Sequence, residues 1–227
     1  MKLVDTTLKQ RMGAVRGNQY FNDLNDALLK DVAEQTQLRE YQRGDVLLWE
    51  DDACDGLFIM EQGSAKIFRL SSQGRQYIVR VLQEGDTFAE VPAFDEGTSP
   101  VNVEALELCQ VWVIDKNKLH ELVMEHPAFT QKVLVNFGTM LRGMVRMVSE
   151  MAFYQVTHRL ARLIDTELLQ DKSSNWTQEQ LAARLGTVRE VVARSLKELE
   201  RSGAIKMEDR RIQIMDRKIF EQWIQPT

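Results

Sequence analysis

Of the 227 residues, two are cysteine and three are histidine. Cys54 and Cys109 stand far apart in the chain, which makes neither a disulfide framework nor a Cys-x-x-Cys metal site. They read as free thiols packed in strands, and a cytoplasm is the expected compartment. His120, His126 and His158 fall on no pair of adjacent predicted strands, which argues against a cupin-like metalloenzyme on a β-barrel. Long apolar runs are missing: stretches such as Val111–Ile114 reach about four residues, too few to span a bilayer. The start, Met1-Lys2-Leu3-Val4-Asp5, has no apolar h-region of a secretory signal, so no membrane partner is expected. A basic excess is also absent. Lys and Arg number 29 against 34 Asp and Glu, a net charge of −5. Taken alone, that argues against a nucleic-acid binder.

What is present is an ordinary soluble balance, 44% apolar and 28% charged, over enough chain for one large or two small domains. Glycines 44, 56, 63, 74, 85 and 97 punctuate the first half. Between them and beyond lie short apolar segments: Val46–Trp49, Leu57–Met60, Ala65–Leu70, Tyr77–Leu82, Val101–Leu106 and Gln110–Ile114. Short strands closed by glycine turns read as an all-β sandwich or barrel. Gln73-Gly74 reads as a hairpin tip, with Gly44-Asp45 and Gly85-Asp86 as matching turns. A lead-in over about residues 20–43 is predicted helical around Asp26–Leu38. Met1–Tyr20, with Lys2, Lys9, Arg11 and Arg16, is either a packing arm or a frayed tail.

After Pro127 the periodicity changes. Leu134, Phe137, Leu141, Met144, Val148 and Met151 recur at spacings of three and four, an a/d seam along a predicted helix Ala128–Ala152. A narrow seam on a helix this long predicts a two-fold dimer, and packing on its own barrel is the alternative. Met140, Met144, Met147 and Met151, with Gly138 and Gly143, make the seam pliable. A second helix follows over about Val156–Leu169, then a polar breaker at Asp171-Lys172-Ser173-Ser174-Asn175.

Thr177-Gln178-Glu179-Gln180 is a capping box opening a helix that buries Leu181, Ala182 and Leu185, with Gly186 as a left-handed cap. Thr187-Val188-Arg189-Glu190 reads as a second box, opening a helix that buries Val191, Val192, Leu196 and Leu199 through about Arg201. Two capped helices joined at one glycine make a helix-turn-helix. Ile205-Lys206-Met207 and Ile212-Gln213-Ile214 alternate around Glu208-Asp209-Arg210-Arg211 as a hairpin wing, and Arg217–Trp223 closes the chain as a helix. Charge is split accordingly: residues 156–227 carry +2, and residues 1–155 carry −7. Guanine readout uses bidentate donors, and cytosine N4 needs an acceptor. Arg189, Glu190 and Arg194 supply both at the front of the second helix, although Glu190 also stands where a capping box would use it. Thr177, Thr187, Val188 and Lys197 complete the candidate DNA face, while Arg184 and Lys206 touch phosphate or only water.

Three stretches carry a family resemblance: Gly85-Asp86-Thr87-Phe88-Ala89-Glu90, Ala152-Phe153-Tyr154-Gln155-Val156-Thr157-His158-Arg159-Leu160, and the run from Leu185 to Leu199. On these the chain resembles the catabolite-activator and fumarate-nitrate-reduction regulator (CRP/FNR) family of bacterial transcription factors over about residues 20–222. The resemblance implies an α+β chain: a cyclic-nucleotide-binding-like β jelly-roll barrel with its helical lead-in over 1–127, a dimerisation helix and hinge over 128–155, and a winged helix-turn-helix over 156–227. It implies a homodimer on a palindromic operator with TGTGA-like half-sites, switched by a small-molecule effector in the barrel and working with RNA polymerase. Arg189, Glu190 and Arg194 match the family's reading pattern one for one, and Val188 stands where cyclic-AMP-responsive members usually place a serine.

The effector pocket implied by the resemblance comprises Phe88, Ala89, Glu90, Val91, Pro100 and Val101. Its Gly-Glu-Leu reads Ala89-Glu90-Val91, and its phosphate-holding Arg-Ser pair reads Pro100-Val101. An apolar pair gives a cyclic phosphate no bidentate partner, which argues against cyclic AMP. Two distant cysteines argue against an iron–sulfur cluster. A haem or nitric-oxide sensor stays open, as does a regulator without a ligand that acts through protein contacts. Where the family often caps its second helix with Asp, Gln155 stands; Gln caps poorly, so Thr157 is the expected cap. The stretch from Leu169 to Trp176 is short where many activators carry a longer polymerase-contact loop, so activation and repression both stay open.

Overall fold

A computed structural model describes residues 1–168, 176–208 and 211–225. The chain forms two compact units: residues 1–69 with 79–139, and residues 70–78 with 140–227. The first begins with β1 (Lys2–Val4), α1 (Leu8–Gly17), α2 (Asp26–Glu34) and β2 (Thr36–Tyr41). Thr7 and Gln10 close a capping box on α1, and Asn25 caps α2. β1 pairs antiparallel with β2 from Lys2↔Glu40 to Val4↔Leu38. The N-terminal segment is therefore a packing arm and not a frayed tail. The helix expected over Asp26–Leu38 is shorter: Thr36 Oγ1 donates to Val32 O at 2.8 Å and closes α2, and Leu38 then points inward from a strand.

The barrel strands follow as β3 (Val46–Leu48), β4 (Gly56–Gln62), β5 (Ala65–Leu70), β6 (Gln76–Leu82) and β7 (Thr87–Phe88). After the short helix α3 (Glu90–Asp95) come β8 (Asn102–Ala105), β9 (Cys109–Asp115) and α4 (Lys116–Glu125). One sheet runs β1-β2-β9-β4-β7 and the other β3-β8-β5-β6. Phe58, Met60, Leu82, Phe88, Val103 and Val111 belong to the apolar core of this jelly roll. A second core, with Phe21, Leu29, Leu57, Trp112 and Leu119, joins α1, α2 and α4 to the first sheet. Both cysteines are free and buried. Cys109 opens β9, but Cys54 lies in the loop before β4, not in a strand, and its thiol donates to Gly56 O at 2.9 Å. Burial pushes the Cys109 thiol up to about 11.

The long helix α5 (Pro127–Phe153) has 27 residues, about 40 Å. Phe129 and Val133 are buried in the first unit's core, and the Phe137 ring meets Phe94 edge-on at 6.1 Å. Phe137 thus leaves the proposed seam: standing four residues after Val133, it shares the inward face. Leu134, Leu141, Met144, Val148 and Met151 are exposed, as are Val135 and Val145.

In the second unit α6 (Val156–Leu163) ends earlier than expected and runs into a π-helical turn, Ile164–Leu168. Leu169, the breaker 171–175 and the wing tip Asp209-Arg210 lie outside the described residues. Then come α7 (Gln178–Leu185), α8 (Arg189–Arg201), β10 (Ile205–Glu208), β11 (Arg211–Ile214) and α9 (Arg217–Ile224). The wing pairs antiparallel from Ile205↔Ile214 to Glu208↔Arg211. Leu160, Ile164, Leu181, Leu185, Val192, Leu196, Leu199 and Phe220 form its core. Gln155 stands at the N-cap of α6 without a side-chain bond. Thr157 does not cap instead: it is already inside the helix, and its hydroxyl donates to Glu198 Oε2 at 2.7 Å, with Ser195 Oγ 2.9 Å away.

Ala89 sits at the N-cap of α3 with φ 64° and ψ 23°, a left-handed backbone where Cβ crowds the carbonyl oxygen. Ala89→Gly removes that strain and should stabilise the chain by about 0.5–1 kcal/mol, read as a raised thermal midpoint. A lowered midpoint would contradict the strain.

Candidate nucleic-acid interface

The reader is built around one turn. Thr177 Oγ1 accepts from Gln180 N at 3.2 Å while Gln180 Oε1 accepts from Thr177 N at 2.8 Å, so the first capping box forms as expected. Gly186 ends α7 at φ 64°, its N–H bonding Ala182 O. Thr187 N donates to the same carbonyl at 3.0 Å.

That bond overturns the second capping box. Thr187 completes the end of α7, so α8 opens one residue later, with Val188 as N-cap and no side-chain bond to it. Glu190 is then the second helical residue instead of the third, and its carboxylate cannot reach back to cap. Its competing role disappears, and it stands exposed beside Arg189. Without a side-chain cap, the first N–H groups of α8 are left to an outside acceptor, and the helix dipole favours an anion there.

The inward face of α8 carries Val192, Ser195, Leu196 and Leu199, while Val191, also expected there, is half-buried. Glu190, Arg194 and Lys197 share the exposed side. Arg189 Nε donates to Gln178 Oε1 at 3.3 Å and stands 3.3 Å from Glu179 Oε1. The two helix N-termini thus meet, and α7 aligns the arginine of α8. Sequence reading missed this role for Gln178 and Glu179, although the signal existed: both follow the N-cap of one helix, and Arg189 opens the next. Thr177 is exposed at the same end. Arg184 lies over the Trp176 ring at 5.1 Å, and Lys206 pairs with Glu208 at 3.4 Å on the wing.

Behind the reader, Arg159 Nη1 donates to Leu185 O at 3.0 Å. Arg162 Nε donates to Ile224 O at 2.8 Å, and its guanidinium lies 4.0 Å from the Tyr154 ring centroid and 3.3 Å from Glu150. His158 Nδ1 is 3.0 Å from Trp223 O.

The residues of the expected effector pocket are differently placed. The Phe88 ring lies 5.0 Å from Phe58 in the barrel core. Glu90 is only 8% exposed. Burial pushes its carboxyl up; its own backbone N–H and Arg80 pull it down, and Asp86 pushes it up again. Arg80 itself pairs with Asp86. Val91 is half-buried; Pro100 is exposed, and Val101 accepts from Ser99 Oγ at 2.7 Å. His120 pairs with Glu96 at 3.0 Å, and His126 closes α4. Among the described residues no three or more His, Cys, Asp or Glu side chains gather as metal ligands, and no helix is long and apolar enough to cross a membrane.

Two outcomes follow from this geometry. Thr177→Ala should cost about 1 kcal/mol of stability, whereas Thr187→Ala and Glu190→Ala should each change it by less than about 0.5 kcal/mol, all measured by thermal unfolding. The raised Glu90 carboxyl means that the folded chain holds its proton more tightly than the unfolded chain. Its contribution is present below the unfolded value and lost as pH rises through the folded one. Glu90→Gln should therefore match wild type near pH 4 and exceed it in stability near pH 7. Equal stability at both pH values would refute the buried-charge account.

A family model described as "Cyclic nucleotide-binding domain" matches residues 38–126, and one described as "Crp-like helix-turn-helix domain" matches residues 155–223. The cAMP-activated global transcriptional regulator Vfr of Pseudomonas aeruginosa is 30% identical over 179 residues, which cover 74% of this chain and 84% of that protein. The CRP-like cAMP-activated global transcriptional regulator of Mycobacterium tuberculosis is 23% identical over 206 residues, covering 86% of this chain and 92% of that one. The solved structure of the c-di-GMP responsive global regulator CLP from Xanthomonas campestris superposes with a TM-score of 0.70 at 18% identity, over 85% of this chain and 100% of that one, and shows the fold alone. With the winged helix-turn-helix, the long helix and the barrel in this order, the chain belongs to the CRP/FNR family of DNA-binding transcription regulators, and not to an enzyme class.

Proposed function

We propose that the chain works as a homodimer that reads a palindromic site with TGTGA-like half-sites, one α8 per half-site, and that a signal received in the first unit gates it. The observation that carries this is the exposed front of α8, where Arg189, Glu190 and Arg194 stand together and Glu190 is free of capping. Arg189 and Arg194 would serve guanine O6 and N7, and Glu190 would accept from cytosine N4. Val188 and Thr187 lie at the end where the backbone meets phosphate. The dimer is supported by Leu134, Leu141, Met144, Val148 and Met151, a run of large apolar side chains left in water on one helix. The two α8 helices of such a dimer must stand about 34 Å apart to enter successive major grooves. A signal that shifts the population toward that spacing switches binding on. RNA polymerase is the partner this reading implies at a promoter.

The effector is left unnamed. Both relatives are named as cAMP-activated and one structural neighbour as c-di-GMP responsive, so likeness alone selects no ligand. Pro100 and Val101 supply no cation for a cyclic phosphate, which disfavours cyclic AMP, and two cysteines disfavour an iron–sulfur cluster. A second reading, regulation by protein contact without a ligand, is favoured by the missing phosphate anchor at Pro100 and Val101. Haem is the quickest candidate to test, since an absorbance scan for a Soret band on purified protein decides it.

In a mobility shift with a TGTGA palindrome, Arg189→Ala, Glu190→Ala and Arg194→Ala should each lose about 1–3 kcal/mol, roughly 5- to 150-fold. The net charge of −5 predicts weak binding to random DNA and a shallow salt dependence. Sequence-specific binding retained by the Arg189→Ala, Glu190→Ala double variant would sink the readout assignment.

A further inference from the structure

The second unit includes a piece of chain that is not part of the reader's own sequence. Residues 70–78, the hairpin between β5 and β6, cluster with residues 140–227. At its end Tyr77 touches two elements at once. Its hydroxyl donates to Met147 Sδ on α5 at 3.3 Å. Its ring lies against Gly186: a Cβ on that glycine would meet Tyr77 Cδ2 at 3.1 Å and Cε2 at 3.3 Å. Gly186 is favoured by its positive φ, and a Cβ there would also crowd the Tyr77 ring by a few tenths of an ångström.

The hairpin holds its own shape. Ser71 N donates to Arg75 O at 2.8 Å and Gly74 N to Ser71 O at 2.9 Å, while Ser71 Oγ accepts from Arg75 N at 3.1 Å and Gln73 N at 3.3 Å. Gly74 supplies the left-handed residue at φ 75°. So Tyr77 extends from a preorganised turn. Arg159 of α6 grips the same place from the other side through Leu185 O. Burial pushes the Tyr77 hydroxyl up, Arg159 opposes that, and Glu150 adds to it.

We propose that Tyr77 is a positioning residue for the reader: by bridging Met147 of the long helix and Gly186 of the α7–α8 turn, it fixes the angle between α5 and the recognition helix α8. The proposal rests on the homodimer reading above, because in a dimer that angle sets the separation of the two α8 helices. A reader held at one angle accepts one half-site spacing, and a reader released from it tolerates several. Spacing selectivity is thus the property Tyr77 controls.

The test uses the full chain and a series of TGTGA palindromes whose central spacer is lengthened or shortened by one and two base pairs. Wild type should prefer one spacing by about tenfold or more, as rigid placement over one DNA turn requires. Tyr77→Ala should flatten that preference to within about threefold, and Tyr77→Phe, which keeps the ring on Gly186 but loses the hydroxyl bond to Met147 Sδ, should fall between the two. A simple loss of stability would lower affinity for every spacer equally and leave the preference intact. Should Tyr77→Ala fail to fold, Tyr77→Leu carries the same comparison, keeping apolar bulk without the flat ring. An unchanged spacing preference in the ring-less variant overturns the proposal. Failure of wild type to bind any palindrome in the series would instead overturn the homodimer reading beneath it.

Discussion

An α-helix cannot end inside a packed unit unless its last carbonyls find donors, and in the reader this is resolved at one residue. Gly186 takes a left-handed backbone, and through it the N–H groups of Gly186 and Thr187 both close on Ala182 O. A side chain there would be strained by the positive φ and would press on the Tyr77 ring, which would have to give by a few tenths of an ångström. Because α7 stops at this point, α8 starts at Arg189, and the whole face of α8 is set in register: Val192, Leu196 and Leu199 turn inward, and Arg189, Glu190 and Arg194 turn out. Moving the start by one residue would rotate that face by about 100° and bury a charge or expose the core.

The sequence was most legible where local chemistry decides. The Thr177 box, the Gly186 cap, the end of α8 near Arg201 and the strand Ala65–Leu70 all depend on neighbours a few residues away. It misled where two local motifs compete for one residue. Thr187-Val188-Arg189-Glu190 has the composition of a capping box, but Thr187 N is already committed to Ala182 O, and Val188, one residue on, is the N-cap of α8. Likewise Phe137 fits a seam by spacing alone. Only the tertiary core around Phe94 shows that its ring points the other way. Thr157 bonding Glu198, and Tyr77 packing on Gly186, join residues far apart in the chain and leave no periodic trace.

The barrel illustrates a different limit. Its fold follows from alternation and glycine turns, and it forms with a packed apolar interior. Any recognition chemistry would depend on a few exposed or half-buried groups, which alternation does not specify. Pro100 and Val101 offer no cation, and the buried Glu90 carboxyl faces its electrostatic partners Arg80 and Asp86. The same architecture can carry different recognition chemistry, because the fold rests on the core and not on these groups.

The short helix α3 is bounded by Ala89 at φ 64° and Glu96 at φ 62°, two left-handed residues that both carry a Cβ. Each conformation is uphill by about 1–2 kcal/mol for an L-residue. Unwinding α3 relaxes both at once, so the free energy needed to open this segment is smaller than for a helix with relaxed ends. In terms of exchange with solvent, this strain lowers the cost of exposing the N–H groups of Val91, Ala93, Phe94 and Asp95, Pro92 having none to exchange.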